Sequence, residues 1–421
     1  MFNGKINITK LLVLCIIPFS VFVDLMNGFI QLVLNKNFPI GEIYRGGLFM
    51  LLFMASFIEA KKTDLFNIFA LVVFVLLNAL WLFNSDFYSL SKEFGYFVRL
   101  YYPYLILIFY IKKFDYLDKD FLLKCIVSFG FIAGSTIIFS YVTGLGVDSY
   151  GDYTFGVKSF FKAQNDIGLS LILTLVPALY YLLSTRKMKY LVSSIVITVG
   201  SIFLGTRAGI GGSILVWVTM FMGLLLFRFR SSHIPTRLRV FILIIGGVVV
   251  SIAGHFAYTI VSSSDYMMRK FTLDALSGGN ARESLVRAGF KALESRNIFS
   301  DLFGEGHLSF HSRVNYNINF NYQLTRIVEV DFVDLIGVYG YIIGIGIISI
   351  PVIFLFISMH NFSKALSLYN YSLIIAILIF CGHSFYAGHA MISPTVATFY
   401  SAYMFLILKQ KSKKNVKHSI D

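Results

Sequence analysis

The sequence predicts an all-α polytopic membrane protein of about 12 transmembrane helices, with one large loop inserted between spans 9 and 10. Three observations carry this expectation. Of 421 residues, 57% are hydrophobic and 17% aromatic, while only 14% are charged; water-soluble domains carry about 25% charged residues. The apolar residues gather in runs of the roughly 20 positions that a helix needs to cross a bilayer. Short loops join these runs, except for one long, polar, arginine-bearing stretch from about Tyr258 to Asp331. Residues 1–421 are read as a single integral membrane domain, with 259–331 as the large loop.

In chain order the spans are expected near 11–31, 40–60, 65–83, 93–111, 121–142, 165–184, 190–205, 208–227, 240–258, 332–357, 371–387 and 391–408. The seventh and eighth meet around Gly205 to Gly209, where one broken helix is the alternative. Asp24 and Asn27, near the end of the first run, do not form a small-residue cleavage site, so no cleavable signal peptide is read there. Cys15, Cys125 and Cys381 lie in or beside apolar segments, far apart, and define neither a metal spacing nor a disulfide framework.

Cation placement sets the orientation. With both termini inside, Lys61, Lys62, Lys112, Lys113, Arg186, Lys187, Lys189, Arg228, Arg230, Arg237, Arg239 and the tail from Lys409 to Lys417 all face the cytoplasm. The short outer loops hold only Lys36, Lys92, Lys158, Lys162 and Arg207. Cytoplasmic loops carry the excess of Lys and Arg, so the long loop must face outward. The formal charge of +14 is therefore mostly a topology signal, and nucleic acid is not expected as a partner. Membrane lipid is.

Within the long loop, Asn280 to Leu293 sets Leu285, Ala288 and Leu293 among cations, a pattern for an amphipathic helix with Asn280 as its cap. The stretch Leu302-Phe-Gly-Glu-Gly-His-Leu reads as a turn, because paired glycines break helix.

Ionisable groups inside spans are costly and usually mark a cavity or a pathway. Asp24, Arg45, Arg99 and Arg207 all fall at or near the outer ends of their spans. Together they predict a water-filled pocket opening outward, walled by spans 1, 2, 4, 7 and 8. Structural pairing of Asp24 with Arg45 or Arg99 is the alternative, as is snorkelling of either arginine to the surface. Arg207 stands in the turn Leu204-Gly-Thr-Arg-Ala-Gly, where small residues allow close approach and the guanidinium presents a rigid fork suited to phosphate oxygens.

Four fragments carry a resemblance to a known family: Gly205-Thr-Arg-Ala-Gly between two spans; Arg282 and Arg287 opening the loop, with Phe303-Gly-Glu-Gly-His after them; Val328-Glu-Val-Asp-Phe-Val-Asp-Leu-Ile-Gly-Val-Tyr-Gly entering the next span; and Phe160-Phe-Lys-Ala-Gln-Asn165 in an earlier outer loop. Their order and sidedness resemble the Wzy-type polysaccharide polymerases and related O-antigen ligases, a GT-C-like architecture. The resemblance implies glycosyl transfer at the periplasmic face of a bacterial inner membrane, from an undecaprenyl-diphosphate-linked glycan donor to an acceptor of the same kind. It makes the large loop periplasmic and implies a chain-length regulator protein as partner.

A sugar on a diphosphate already carries a good leaving group, so no cofactor and no metal are expected. What the enzyme must supply is positive charge for the departing diphosphate. Arg207 and Arg282 are the first candidates, with Arg287, Lys158 and Lys162 beside them. The acceptor hydroxyl needs a base or an orienting acceptor. Ligases of the family carry a histidine-rich motif before the span that follows the loop. This chain has Glu329 and Asp331 there, with Asp334 one turn on, so Glu329 is the expected base, then Asp331; carboxylates that merely complement a helix N-terminus are the alternative. Arg45, Arg99, Asn165, His307 and His383 are expected to line the cavity or contact glycan. A ligase shares the arginines, and a lipid-linked oligosaccharide flippase has a similar span count. Flippases are built from two similar halves with short outer loops, and no half-repeat is visible here.

Overall fold

A computed structural model describes residues 8–58, 64–149, 156–227, 281–319, 327–386 and 388–415, with isolated positions between 240 and 262. The fold is all-α among the described residues, apart from one isolated bridge between Asp148 and Val157. The helices are α1 (Ile8–Val33), α2 (Ile40–Ile58), α3 (Asp64–Asn84), α4 (Leu90–Lys112), α5 (Lys119–Thr143), α6 (Gln164–Thr185), α7 (Met188–Phe203), α8 (Arg207–Leu226), α9 (Ala281–Glu294), α10 (Ile298–Phe303), α11 (His307–Asn319), α12 (Asp331–Lys364), α13 (Leu368–Tyr386) and α14 (Pro394–Asn415).

Eight of them (α1, α3, α4, α5, α6, α8, α12 and α13) are long and apolar enough to cross a membrane. The protein is a polytopic membrane protein. Three other expected spans form helices of a different character: α7 is only 16 residues long, α2 carries Glu42 and Arg45 in its first two turns, and α14 ends in a lysine-rich turn. The expected ninth span, 240–258, lies mostly outside the described residues. The Gly205 region is a true break between two helices, because Gly205 adopts φ 72° and Thr206 caps α8 by accepting the Gly209 amide at 3.0 Å.

The core gathers on α14. From Val396 to Ile407 it is buried all round, packed against α4, α6, α12 and α13. A helix surrounded by protein can carry polar groups provided each finds a partner, and this one uses them to repair its neighbours. Pro177 inside α6 lacks an N–H, so the Leu173 carbonyl loses its helical donor; the Tyr403 hydroxyl donates to that carbonyl at 2.6 Å. Ser401 donates to the Pro103 carbonyl of α4 at 2.7 Å, a further tie between the two helices. Tyr403→Phe is expected to cost about 1–2 kcal/mol, read as a lower thermal midpoint in detergent. An unchanged midpoint would mean that the Leu173 oxygen has another donor.

The two ends of the bundle differ. At one, Lys112 pairs with Asp64 at 2.5 Å, and Lys409 donates to the Phe114 and Leu117 carbonyls, so lysines tie down helix termini. At the other, α9, α10 and α11 form a cap on the start of α12. The expected amphipathic helix is α9, which buries Leu285, Ala288 and Ala292; its proposed cap Asn280 lies outside the described residues. The expected turn follows α10. Gly304 and Gly306 take φ 75° and 83°, and a Cβ on Gly304 would stand 2.1 Å from the Val338 carbonyl oxygen. That close approach meets a kink in α12 at Gly340, φ 73°, so two backbones touch where side chains would hold them apart.

Candidate functional site

Next to the cap, the ends of α1, α2, α4, α6 and α14 enclose a cavity of about 380 Å³. Its charged lining is Asp24, Glu42, Arg45, Arg99, Lys162 and Asp166, joined by polar Asn27, Gln31, Tyr102 and Thr395, and its walls include Phe49, Met50, Phe94, Val98, Phe161 and Ile167. Three cations and three carboxylates therefore meet against an apolar surface. Charges at this depth persist only when paired or directed at a cavity.

The pairings are specific. Arg45 forms an ion pair with Asp24, one of the two pairings that the spacing allowed. Thr395 completes it, accepting from Arg45 at 2.9 Å and donating to Asp24 at 3.1 Å. Arg99 meets Glu42 at 3.1 Å, with both side chains well exposed. Asp166, in the first turn of α6, accepts from Ser393 at 2.6 Å. The chain from Met391 to Thr395 thus stitches acids of three helices together, since the Met391 amide donates to Asp331 of α12 at 3.1 Å.

Lys162 reaches the cavity from the loop before α6. That loop also carries Lys158 and lies on the turn that precedes Arg207: the Val157 amide donates to the Phe203 carbonyl at 2.9 Å, and Ser149 donates to the Leu204 carbonyl at 2.8 Å. On its far side the loop rests on α1, where a Cβ on Gly28 would fall 1.5 Å from the Phe160 carbonyl oxygen. One loop therefore links the Arg207 turn, Lys158 and Lys162 to the cavity that holds Arg45 and Arg99, and Asn165 follows it in the first turn of α6. Arg207 itself begins α8 and is half-buried outside the cavity lining.

The remaining expected site residues lie elsewhere. Arg287 is exposed on α9 and pairs with Glu283 one turn back. Arg282 sits in the first turn of the same helix, and its side chain lies outside the described residues. Glu329 is half-buried, its carbonyl against Gly388. Asp331 and Asp334, both 1% exposed, serve different neighbours: Asp331 accepts from Ser384 at 2.7 Å, and Asp334 accepts from the Tyr96 hydroxyl and meets His311 Nε2. His383 is half-buried near the end of α13. His307 stacks on Tyr96, ring centroids 4.5 Å apart; burial and then the neighbouring His311 push its imidazole down to about 3, so it is neutral at physiological pH.

A second polar cluster locks the cap. Arg296 reaches the Ile336 and Gly337 carbonyls beside the α12 kink. Glu305 lies 3.5 Å from Arg296 and 3.2 Å from Arg313, which continues to Asp86 at 2.9 Å. Burial pushes the Glu305 carboxyl up and the Arg296 guanidinium down, in each case against the partner's attraction. Desolvation thus outweighs pairing, as is common for enclosed ion pairs. Glu93 joins the cap to α4 by accepting the His307 and Leu308 amides at 2.7 and 2.8 Å, a carboxylate on the first amides of α11.

Sequence reasoning missed Asp166, Ser393 and Thr395. Asp166 stands one residue beyond the recognised Phe160–Asn165 fragment. Ser393 and Thr395 flank Pro394 inside what reads as an apolar span, and their only signal is a Ser-Pro-Thr of the kind that begins helices.

The lining residues Asp24, Arg45, Arg99, Lys162 and Asp166 all lie in the first half of the chain, as does Arg207. No curated protein matches the sequence. A family model described as "O-antigen ligase like membrane protein" matches residues 6–269, which hold all six of these residues. That match spans more than half of the 421 residues, and the chain belongs to the O-antigen ligase-like membrane protein family.

Proposed function

We propose that the protein is a membrane glycosyltransferase: a polymerase that joins undecaprenyl-diphosphate-linked oligosaccharide repeat units into O-antigen or capsular polysaccharide. It works at the periplasmic face of the inner membrane, with both termini in the cytoplasm and a chain-length regulator as partner. Family membership supports a role in O-antigen or related polysaccharide assembly. The observation that carries the finer reading is the cavity itself, where Arg45, Arg99 and Lys162 meet against an apolar wall. A lipid diphosphate asks for this combination, with cations for the phosphates and apolar surface for the first isoprene units.

In catalysis the cavity cations hold the diphosphate, with Arg207 and Lys158 contributing from the turn and loop beside it and Arg282 given the same role on the family resemblance. Preorganised positive charge lowers the barrier for expelling the diphosphate, because the field is in place before the charge develops. Polymerase is preferred over ligase because carboxylates, Glu329 and Asp331, stand where the ligases of the family have histidine.

Deletion in the producing bacterium tests this, with the surface glycan run on a gel. Polymerase loss leaves core bearing a single repeat unit and no ladder. Bare core with glycan held on its carrier lipid would instead mark a ligase, and bare core with unexported units a flippase. Complementation with Arg207→Ala or Arg282→Ala is expected to give no ladder at unchanged protein abundance. Wild-type ladders from both would remove these arginines from the diphosphate site.

A further inference from the structure

The cavity holds three carboxylates, and two of them are committed. Asp24 is taken by Arg45 and Thr395, and Glu42 by Arg99. Asp166 has no cation at ion-pair distance among the described residues. Its Oδ2 is fixed by the Ser393 hydroxyl at 2.6 Å, and its Oδ1 has no protein donor among the described residues although the residue lines the cavity. The first turn of a helix favours the carboxylate anion. The carboxylates after the cap are placed differently. Asp331 is 1% exposed and bonded to both Ser384 and the Met391 amide, and neither it nor Glu329 lines the cavity.

We propose that Asp166 is the catalytic base that takes the proton from the acceptor sugar hydroxyl, with Ser393 as its positioning residue; this rests on the glycosyl-transfer reading above. The acceptor O–H proton passes to Asp166 Oδ1 as the acceptor oxygen bonds to the donor's anomeric carbon. The bond from that carbon to the diphosphate oxygen breaks, and its electron pair leaves with the lipid diphosphate, whose charge Lys162 and Arg99 face. A carboxylate is useful here because it can take the proton, which the cations Arg45, Arg99 and Lys162 cannot, while the other two carboxylates are paired with arginines. Ser393 holds one oxygen so that the other points at the acceptor; a misplaced base loses much of its effect.

The test uses full-length protein in nanodiscs, with undecaprenyl-diphosphate-linked repeat units extracted from the producing strain as both donor and acceptor. Wild type is expected to form polymer. Asp166→Asn is expected to bind the lipid-linked unit as wild type does but to turn over about 100-fold or more slowly, and Asp166→Glu to recover part of that loss. Ser393→Ala is expected to lower kcat about tenfold with KM unchanged, and it serves as the second readout if Asp166→Asn fails to fold. Wild-type kcat in Asp166→Asn, or in Ser393→Ala where the former does not fold, overturns the assignment and leaves the glycosyl-transfer reading intact. If wild-type protein itself forms no polymer, that reading falls and the assignment falls with it.

Discussion

Replacing Arg45 by methionine is expected to lower the amount of folded protein and to abolish the glycan ladder, for two separable reasons. Arg45 and Asp24 are only 17% and 14% exposed, and breaking such a pair leaves Asp24 charged in poor solvent with Thr395 as its remaining partner. Removing one member of a buried ion pair typically costs 3–5 kcal/mol, about the scale on which a domain's stability is measured. The second effect is functional, since Arg45 is one of three cations facing the cavity. The double variant Asp24→Asn/Arg45→Met separates them. It removes the orphaned charge, so protein abundance should return, while the ladder stays absent because the cation is still missing. A ladder restored along with abundance would make the pair purely structural.

Gly28→Ala is expected to have a comparable effect through geometry alone. The position sits on α1, far from either lysine in sequence, yet an added Cβ would lie 1.5 Å from the Phe160 carbonyl oxygen. That atom belongs to backbone, so the whole 156–163 loop must give way. The edge-on contact between Phe29 and Phe160, centroids 5.4 Å apart, would shift with it. Lys158 and Lys162 flank Phe160, and displacing positioning groups by about 1 Å can cost on the order of 100-fold in rate. Membrane insertion should be normal, because the apolar length of α1 is unchanged. The check is polymer formed per inserted protein; a wild-type ratio would show that the loop adapts without moving its lysines.

Much of the architecture was legible because it depends on quantities local in sequence. Apolar run length gave the helices, and the amphipathic spacing of Leu285 and Ala288 and the paired glycines at 304 and 306 gave parts of the cap. The polar residues near the span ends stand out as a group in the sequence, and the structure brings Asp24, Arg45 and Arg99 into one cavity. Arg207 falls outside that lining, on a turn joined to it by the lysine loop. Span counting was less secure where helices serve the interior. α14 is shielded by its neighbours rather than by lipid, so it tolerates serines and threonines that an apolar window penalises.

Hydropathy and charge distribution are sums over neighbouring residues, and chain order alone was therefore enough for the membrane class, the helical fold and the set of costly charges. Which of those charges meet was settled by packing. Thr395 lies 350 positions from Arg45 and Ser393 lies 227 from Asp166, and no local pattern encodes contacts across such separations. They arise because α14 threads the centre of the bundle and brings its first turn to the same end as α1, α2 and α6. The site is a product of helix packing, made from residues that look ordinary until the fold sets them side by side.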